Sequence, residues 1–151
     1  MSPNLRAFLD TIAYSEGTSR VLGSDRGYNV IVGGGLFEGY DDHPRKLVDL
    51  PRLGIKSTAA GRYQVLARYY DAYKAQLCLS DFSPDSQDKI AVQQIRECRA
   101  LDDIDAGRFG AAVTKCARIW ASLPGAGYGQ HENRLDRLQA AFEAAGGTVT
   151  A

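Results

Sequence analysis

Tyr28-Asn29-Val30-Ile31-Val32-Gly33-Gly34-Gly35-Leu36-Phe37-Glu38-Gly39-Tyr40 is the stretch on which the fold class turns, because β-branched and aromatic residues gather there without a helical period. Two β-prone runs, Tyr28 to Val32 and Leu36 to Tyr40, flank three glycines, a connection suited to a hairpin. Downstream, Asp41, Asp42, Pro44 and Pro51 punctuate the chain as far as Ser57, a region that reads as loop with room for one further strand. A small antiparallel sheet in the first third of the chain is therefore expected.

Helical spacing surrounds that stretch. Leu5, Phe8, Leu9, Ile12 and Ala13 follow Pro3 at helical intervals, with Ser2 or Asn4 near the start and Gly17 past the end. Ala60 to Leu77 carries Val65, Tyr69, Tyr73 and Leu77 on one face, and Ser83 before Pro84 starts a helix through Ile90, Ala91, Ile95 and Cys98. Ala100 to Ala106 reads as a short helix, Phe109 to Leu123 as a longer one, and His131 to Ala145 as the last, stopped by Gly146 and Gly147. The pattern predicts one mostly helical α+β domain over residues 1–151, uninterrupted by linker, repeat or low-complexity tract.

Composition narrows the function classes. The chain has 151 residues, 44% hydrophobic and 24% charged, which suits a folded globular protein and argues against disorder, collagen and coiled coil. Eighteen Lys and Arg balance eighteen Asp and Glu, so no global basic field recruits nucleic acid. Apolar runs are too short for a membrane span or a signal-peptide core, which predicts no stable membrane insertion and a cytoplasmic start. Cys78, Cys98 and Cys116 lie in apolar helical patterns without CxxC spacing and read as buried thiols. His43 and His131 stand alone, so neither a metal nor another cofactor is expected. No GxSxG elbow supports a nucleophilic serine.

Glu16 is the most informative residue. It lies four after Ile12 and seven after Leu9, which puts a carboxyl on the apolar side of the first helix. Desolvation and the negative end of the helix dipole both hold such a group protonated, the state a general acid needs. The same position also fits a frayed last turn in which Glu16 reaches water or pairs with Arg20.

Two further segments could contact a ligand. Ser57-Thr58-Ala59-Ala60-Gly61-Arg62-Tyr63-Gln64 brings small residues into the expected start of a helix, with backbone N–H groups, Ser57 and Gln64 suited to the hydroxyl and acetamido groups of a sugar. Small residues before a helix are usually only a cap, and that is the competing reading. Ala121 to Gln130 is a glycine-rich loop with one aromatic, Tyr128, and one amide, Gln130; it fits a lip that closes on a ligand, opposite Leu50 to Ala60, or an ordinary interhelical loop. Arg45, Lys46, Arg52, Lys56, Arg62, Arg68 and Lys74 outnumber Asp49 and Asp71, a stripe that either steers an anionic polymer or forms a solvated face.

Taken in order, Ser15-Glu16-Gly17, Gly27-Tyr28-Asn29-Val30-Ile31-Val32-Gly33-Gly34, His43-Pro44-Arg45-Lys46-Leu47-Val48, Ala60-Gly61-Arg62-Tyr63-Gln64, Asp81-Phe82-Ser83-Pro84, Gln93-Gln94-Ile95 and Ile119 through Gln130 resemble the endolysin family of bacteriophage lambda. The resemblance runs over nearly the whole chain. It implies a lysozyme-like α+β fold with two lobes around a groove, and cleavage of the β-1,4 bond between N-acetylmuramic acid and N-acetylglucosamine in peptidoglycan. It implies lytic transglycosylation, with Glu16 as the one catalytic carboxyl and a 1,6-anhydro product, and no cofactor. Ser57, Tyr63, Gln64, Tyr128 and Gln130 would bind the glycan strand. A monomer released from the host bacterial cytoplasm to the periplasm by a separate holin is implied too.

Where that family carries Asp in the Gly-Tyr-x-Val run this chain has Asn29, which removes one candidate second carboxylate. A hydrolytic muramidase on the same fold and an inactive glycan-binding module are the competing readings.

Overall fold

In the computed structural model of this chain, which describes residues 1–125 and 132–150, the first helix is α1 (Pro3–Glu16). Of the two candidate caps, Ser2 is the one used: its hydroxyl accepts the Leu5 N–H at 3.1 Å. Asn4 instead ties α1 to distant backbone, donating to the Ile104 and Thr148 carbonyls and accepting the Thr148 N–H. Gly17, at φ 80, takes the left-handed conformation that ends a helix without a Cβ penalty.

The chain forms two compact units, one of Met1–Glu16 with Val92–Ala151 and one of Gly17–Ala91. In the first, α1 packs against α4 (Leu101–Asp105) and α6 (Leu135–Ala144), and α4 packs on α5 (Phe109–Cys116). Phe8, Phe109 and Phe142 meet with ring centroids 4.9–6.5 Å apart, among fully buried Leu9, Ile12, Ile104 and Leu138. Asp103, almost wholly buried, accepts from Arg108 and Lys115, so burying its charge is matched by two cations.

The second unit contains α2 (Ala67–Gln76), the start of α3 (Pro84–Glu97) and a two-stranded antiparallel sheet, β1 (Val48–Leu50) with β2 (Ile55–Ser57). The register pairs Val48 with Ser57 and Leu50 with Ile55. Ile31, Phe37, Ala60, Val65, Tyr70, Phe82 and Ile90 form the core of this unit.

Several boundaries differ from those the sequence predicts, each for a local reason. The glycine-flanked run at 28–40 is not the sheet: Val30 bridges Leu36 at one point, then Phe37 turns into the core beside Phe82 while Ile31 bridges Ala60. The regular strands lie in the proline-punctuated region expected to be mainly loop. The predicted helix at Ala60 to Leu77 begins only at Ala67, because Gly61 at φ 85 and Gln64 at φ 57 are left-handed and Ala60 bridges Val65. Consecutive turns replace the expected helix after Cys116, and Pro124 disfavours helical backbone at Leu123. The last helix starts at Leu135, after an extended Arg134, rather than at His131. Cys98 and Cys116 are buried as expected, but Cys78 is exposed: at φ 53 it leaves the end of α2 in a left-handed turn.

His43 is a core residue of the second unit. Its ring lies 4.9 Å from Phe82 and 5.8 Å from Tyr70, its Nδ1 accepts the Arg45 N–H, and its Nε2 therefore carries the proton donated to the Val65 carbonyl. Burial, reinforced by the nearby Arg45, holds its pKa below the ordinary 6.5, against the opposing pull of the Val65 carbonyl, Asp42 and Asp71.

A base depressed in the folded state takes up a proton more readily when unfolded. Its stabilising contribution is complete above the unfolded value and is lost as pH falls from there toward the folded value. Thermal denaturation between pH 7 and pH 5 is expected to show Tm falling more steeply in the parent than in His43→Gln. Parallel Tm profiles would contradict this role for His43.

Candidate active site

α1 delivers Glu16 at its last turn with the carboxyl partly buried, on the face that also carries Leu9 and Ile12. Burial raises its pKa, and the Ser122 hydroxyl opposes that rise by donating to Oε2 at 2.5 Å. The other carboxyl oxygen, Oε1, takes no hydrogen bond among the described residues. Burial outweighs the hydrogen bond, so the group holds its proton to higher pH than an exposed glutamate and leaves one oxygen open to a partner.

The turns after α5 bring Ser122 to this carboxyl. Ile119 donates to the Cys116 carbonyl and Leu123 to that of Trp120, both at the three-residue spacing of a tight turn, while Trp120 shares the Cys116 carbonyl at helical spacing. Ser122 Oγ also meets Ser15 Oγ at 2.8 Å. Asn133 closes the arrangement: its amide donates to the Ser15 carbonyl at 2.9 Å and to Ser15 Oγ at 3.1 Å, and its backbone N–H donates to the Ser122 carbonyl.

Ser15, Ser122 and Asn133 are the residues around the Glu16 carboxyl that periodicity misses. Ser15 lies within the quoted Ser15-Glu16-Gly17 motif and Ser122 within the glycine-rich loop, but neither position carries a pattern that aims its hydroxyl.

The remaining sequence-derived site residues lie in the second unit or outside the described residues. Tyr63 is buried: its hydroxyl donates to Asp88 at 2.6 Å, its ring meets Tyr28 edge-on, and Arg62 lies over both rings. Burial and the Asp88 carboxylate raise the Tyr63 pKa far above the ordinary range.

Gln64 is partly exposed. Its Nε2 donates to the Gly61 and Val30 carbonyls at 2.8 and 3.3 Å, which orients the amide and leaves Oε1 as its available acceptor. Ser57, at the end of β2, accepts the Ala59 N–H and is likewise partly exposed. Tyr128 and Gln130 lie outside the described residues, as do Gly127 and Gly129 of the expected lip.

Four of the backbone N–H groups around Gly61 are already bonded. Gly61 donates to Val30, Arg62 to Gln87 Oε1, Gln64 to Gly61 and Val65 to Ala60. The turn is held from beneath by Gln87, whose amide also donates to the Tyr28 and Phe82 carbonyls.

The basic stripe is interrupted as well. Arg45 pairs with Asp42 and Asp71 at 2.8 and 2.6 Å, and Arg62 is buried with its Nε donating to the Arg26 carbonyl. Asn29 accepts the Asp25 N–H at 2.8 Å through its side-chain oxygen. Asp25 is exposed and accepts from Tyr40, a hydrogen bond that keeps it ionised. Among the described residues, no three His, Cys, Asp or Glu side chains come together as a metal site.

Residues 6–149 match the family model described as Endolysin. An endolysin of Escherichia phage lambda is 59% identical over 147 residues, 95% of this chain and 92% of that protein. An endolysin of Escherichia phage P2 is 51% identical, across 95% of this chain and 93% of that protein. Among solved structures, a bacteriophage lambda lysozyme complexed with a chitohexasaccharide superposes with a TM-score of 0.95 at 56% identity, covering 99% of this chain and 98% of that one. A second lambda lysozyme structure gives a TM-score of 0.91 over the same shares of the two chains.

Proposed function

Because the chain belongs to the endolysin family, we propose that it degrades bacterial peptidoglycan, cutting the β-1,4 bond between N-acetylmuramic acid and N-acetylglucosamine with Glu16 as the general acid. The observation that carries this reading is the state of Glu16: a partly buried carboxyl biased toward its protonated form, hydrogen-bonded at one oxygen and open at the other. The complex of the related lysozyme with a chitohexasaccharide supports a glycan strand as the substrate.

The reaction is lytic transglycosylation. Glu16 gives its proton to the glycosidic oxygen as the bond from that oxygen to C1 of the muramic acid breaks. The muramic acid 6-hydroxyl oxygen then bonds to C1, and its proton returns to the Glu16 carboxylate. Atoms balance without water, and the new end is a 1,6-anhydro ring. One carboxyl suffices because the nucleophile belongs to the substrate, at an effective concentration no free water matches. Two-carboxylate glycosidases need a second group to act as nucleophile or to activate water.

Gln64, through its available amide oxygen, and Ser57 are the second-unit groups suited to meet acetamido N–H and hydroxyl donors of the glycan. Tyr128 and Gln130 extend this set on the strength of their place in the matched loop. Tyr63 supports the turn beneath Gln64 through Asp88 rather than offering a free hydroxyl. No helix among the described residues is long and apolar enough to cross a membrane, and the proposed route to the wall is passage from the host cytoplasm through lesions made by a separate holin. The protein acts as a monomer.

Digestion of purified peptidoglycan followed by mass spectrometry tests the reading. New glycan ends lighter by one water than reducing ends are expected. Reducing ends alone would replace transglycosylation by hydrolysis, and binding without new ends would replace catalysis by glycan recognition.

A further inference from the structure

The geometry points to a directed hydrogen-bond relay, from Asn133 to Ser15 to Ser122 to Glu16, that reserves Oε1 of Glu16 for the acid's proton and makes Ser15 and Ser122 positioning residues. Its place in catalysis rests on the reading of Glu16 as the acid. The direction follows from counting protons. A serine hydroxyl has one to donate, and that of Ser122 goes to Glu16 Oε2 at 2.5 Å. At the 2.8 Å contact between the two hydroxyls Ser122 must then accept, so Ser15 donates. Ser15 Oγ is itself fed by the Asn133 amide at 3.1 Å, and that amide is anchored by its second contact, at 2.9 Å, to the Ser15 carbonyl. Every donor in the series points toward the carboxyl.

Two consequences follow. With a donor on Oε2, the proton of the neutral acid sits on Oε1, the oxygen without a hydrogen bond among the described residues. When that proton leaves, negative charge spreads to Oε2, and the bond from Ser122 strengthens as it becomes charge-assisted. Each upstream donor polarises the next, so Asn133 acts on a carboxyl it does not touch. The relay therefore favours the state reached after proton donation over the state before it, which is the differential interaction that speeds a step.

Among the described residues, charged side chains do not supply this effect. The elements packed on α1 carry Asp102, Asp103 and Asp105 on α4, and Asp136, Arg137 and Glu143 on α6. Glu132 and Arg134 precede α6, while Asp10 and Tyr14 belong to α1 itself and Arg20 follows four residues on. Among the described residues none of them is a cause of the shift of Glu16; the causes there are burial and Ser122.

The test is a carbon NMR titration of the Glu16 carboxyl in the full chain, run beside the pH profile of wall lysis. Parent, Ser122→Ala, Ser15→Ala, Asn133→Ala and Ser122→Thr are compared, with Tm recorded for each. The Glu16 midpoint is expected about one pH unit higher in Ser122→Ala, as for a lost hydrogen bond to a charged group. Ser15→Ala and Asn133→Ala should give smaller rises, and Ser122→Thr, which keeps the hydroxyl, should return the midpoint to the parent value.

A midpoint unmoved in Ser122→Ala, with only Tm altered, overturns the relay and leaves Ser122 a packing residue. A lower midpoint also overturns it, because it means that Glu16 donates to Ser122. If the midpoint rises as expected while the lysis profile stays in place, the relay stands and the assignment of Glu16 as the acid fails.

Discussion

Glu16→Gln is expected to lower the rate of wall lysis by about 10²–10⁴-fold, the ordinary worth of a positioned general acid, with Tm equal to or above that of the parent. The amide keeps the shape of the side chain and an oxygen for the Ser122 hydroxyl, but it has no proton to give the leaving sugar. It also removes an ionisable group that burial penalises, so nothing in the fold should suffer. Lysis by a folded Glu16→Gln at a rate within tenfold of the parent would exclude Glu16 as the acid.

The largest stability effect is expected at Gly61. Its backbone is left-handed at φ 85, and a Cβ there would sit 2.5 Å from Gln87 Oε1 and 2.9 Å from the Phe82 ring. Gln87 cannot retreat cheaply, because the same side chain accepts the Arg62 N–H and donates to the Tyr28 and Phe82 carbonyls inside the core. Gly61→Ala combines backbone strain with overpacking and should cost about 2–5 kcal/mol. For a chain of this size that is a fall in Tm of about 10 °C. A Tm within about two degrees of the parent would mean that the turn rearranges freely. Because Gln64 belongs to this turn, the surviving folded fraction should also bind glycan more weakly.

These two positions differ in how far the sequence discloses them. Glu16 is legible because helical periodicity gives direction: once Leu9 and Ile12 face the core, a carboxyl four residues on must share their side. Gly61 is legible only as a turn residue. That Gln64 would also be left-handed, delaying α2 to Ala67, leaves no trace in composition, since Gln has no preference for that conformation.

The strands lie away from the most β-prone run for a related reason. Tyr28, Val30 and Ile31 have strand-forming side chains, but Tyr28 serves as a ring platform for Arg62 and Ile31 pairs with Ala60, nearly thirty residues on. β-propensity reports a half-buried surface without saying which partner covers it. Three-residue strands such as Val48–Leu50 are too short to show alternation. Ser122 and Asn133 were beyond sequence reasoning altogether: they sit in irregular segments and meet residues 106 to 118 positions away in the chain. The family resemblance named the motif around Ser122 but carried no role for its hydroxyl.

In the proposed reaction Glu16 acts alone, with the nucleophile supplied by the substrate. The most direct measurement is digestion of purified peptidoglycan in heavy-oxygen water by the parent and Glu16→Gln side by side, with the isotope content of each new glycan end read by mass spectrometry. The parent should generate anhydro ends that carry no heavy oxygen, and Glu16→Gln should generate almost none. Heavy oxygen in the new ends of the parent, or new ends from Glu16→Gln at the parent's rate, would contradict it.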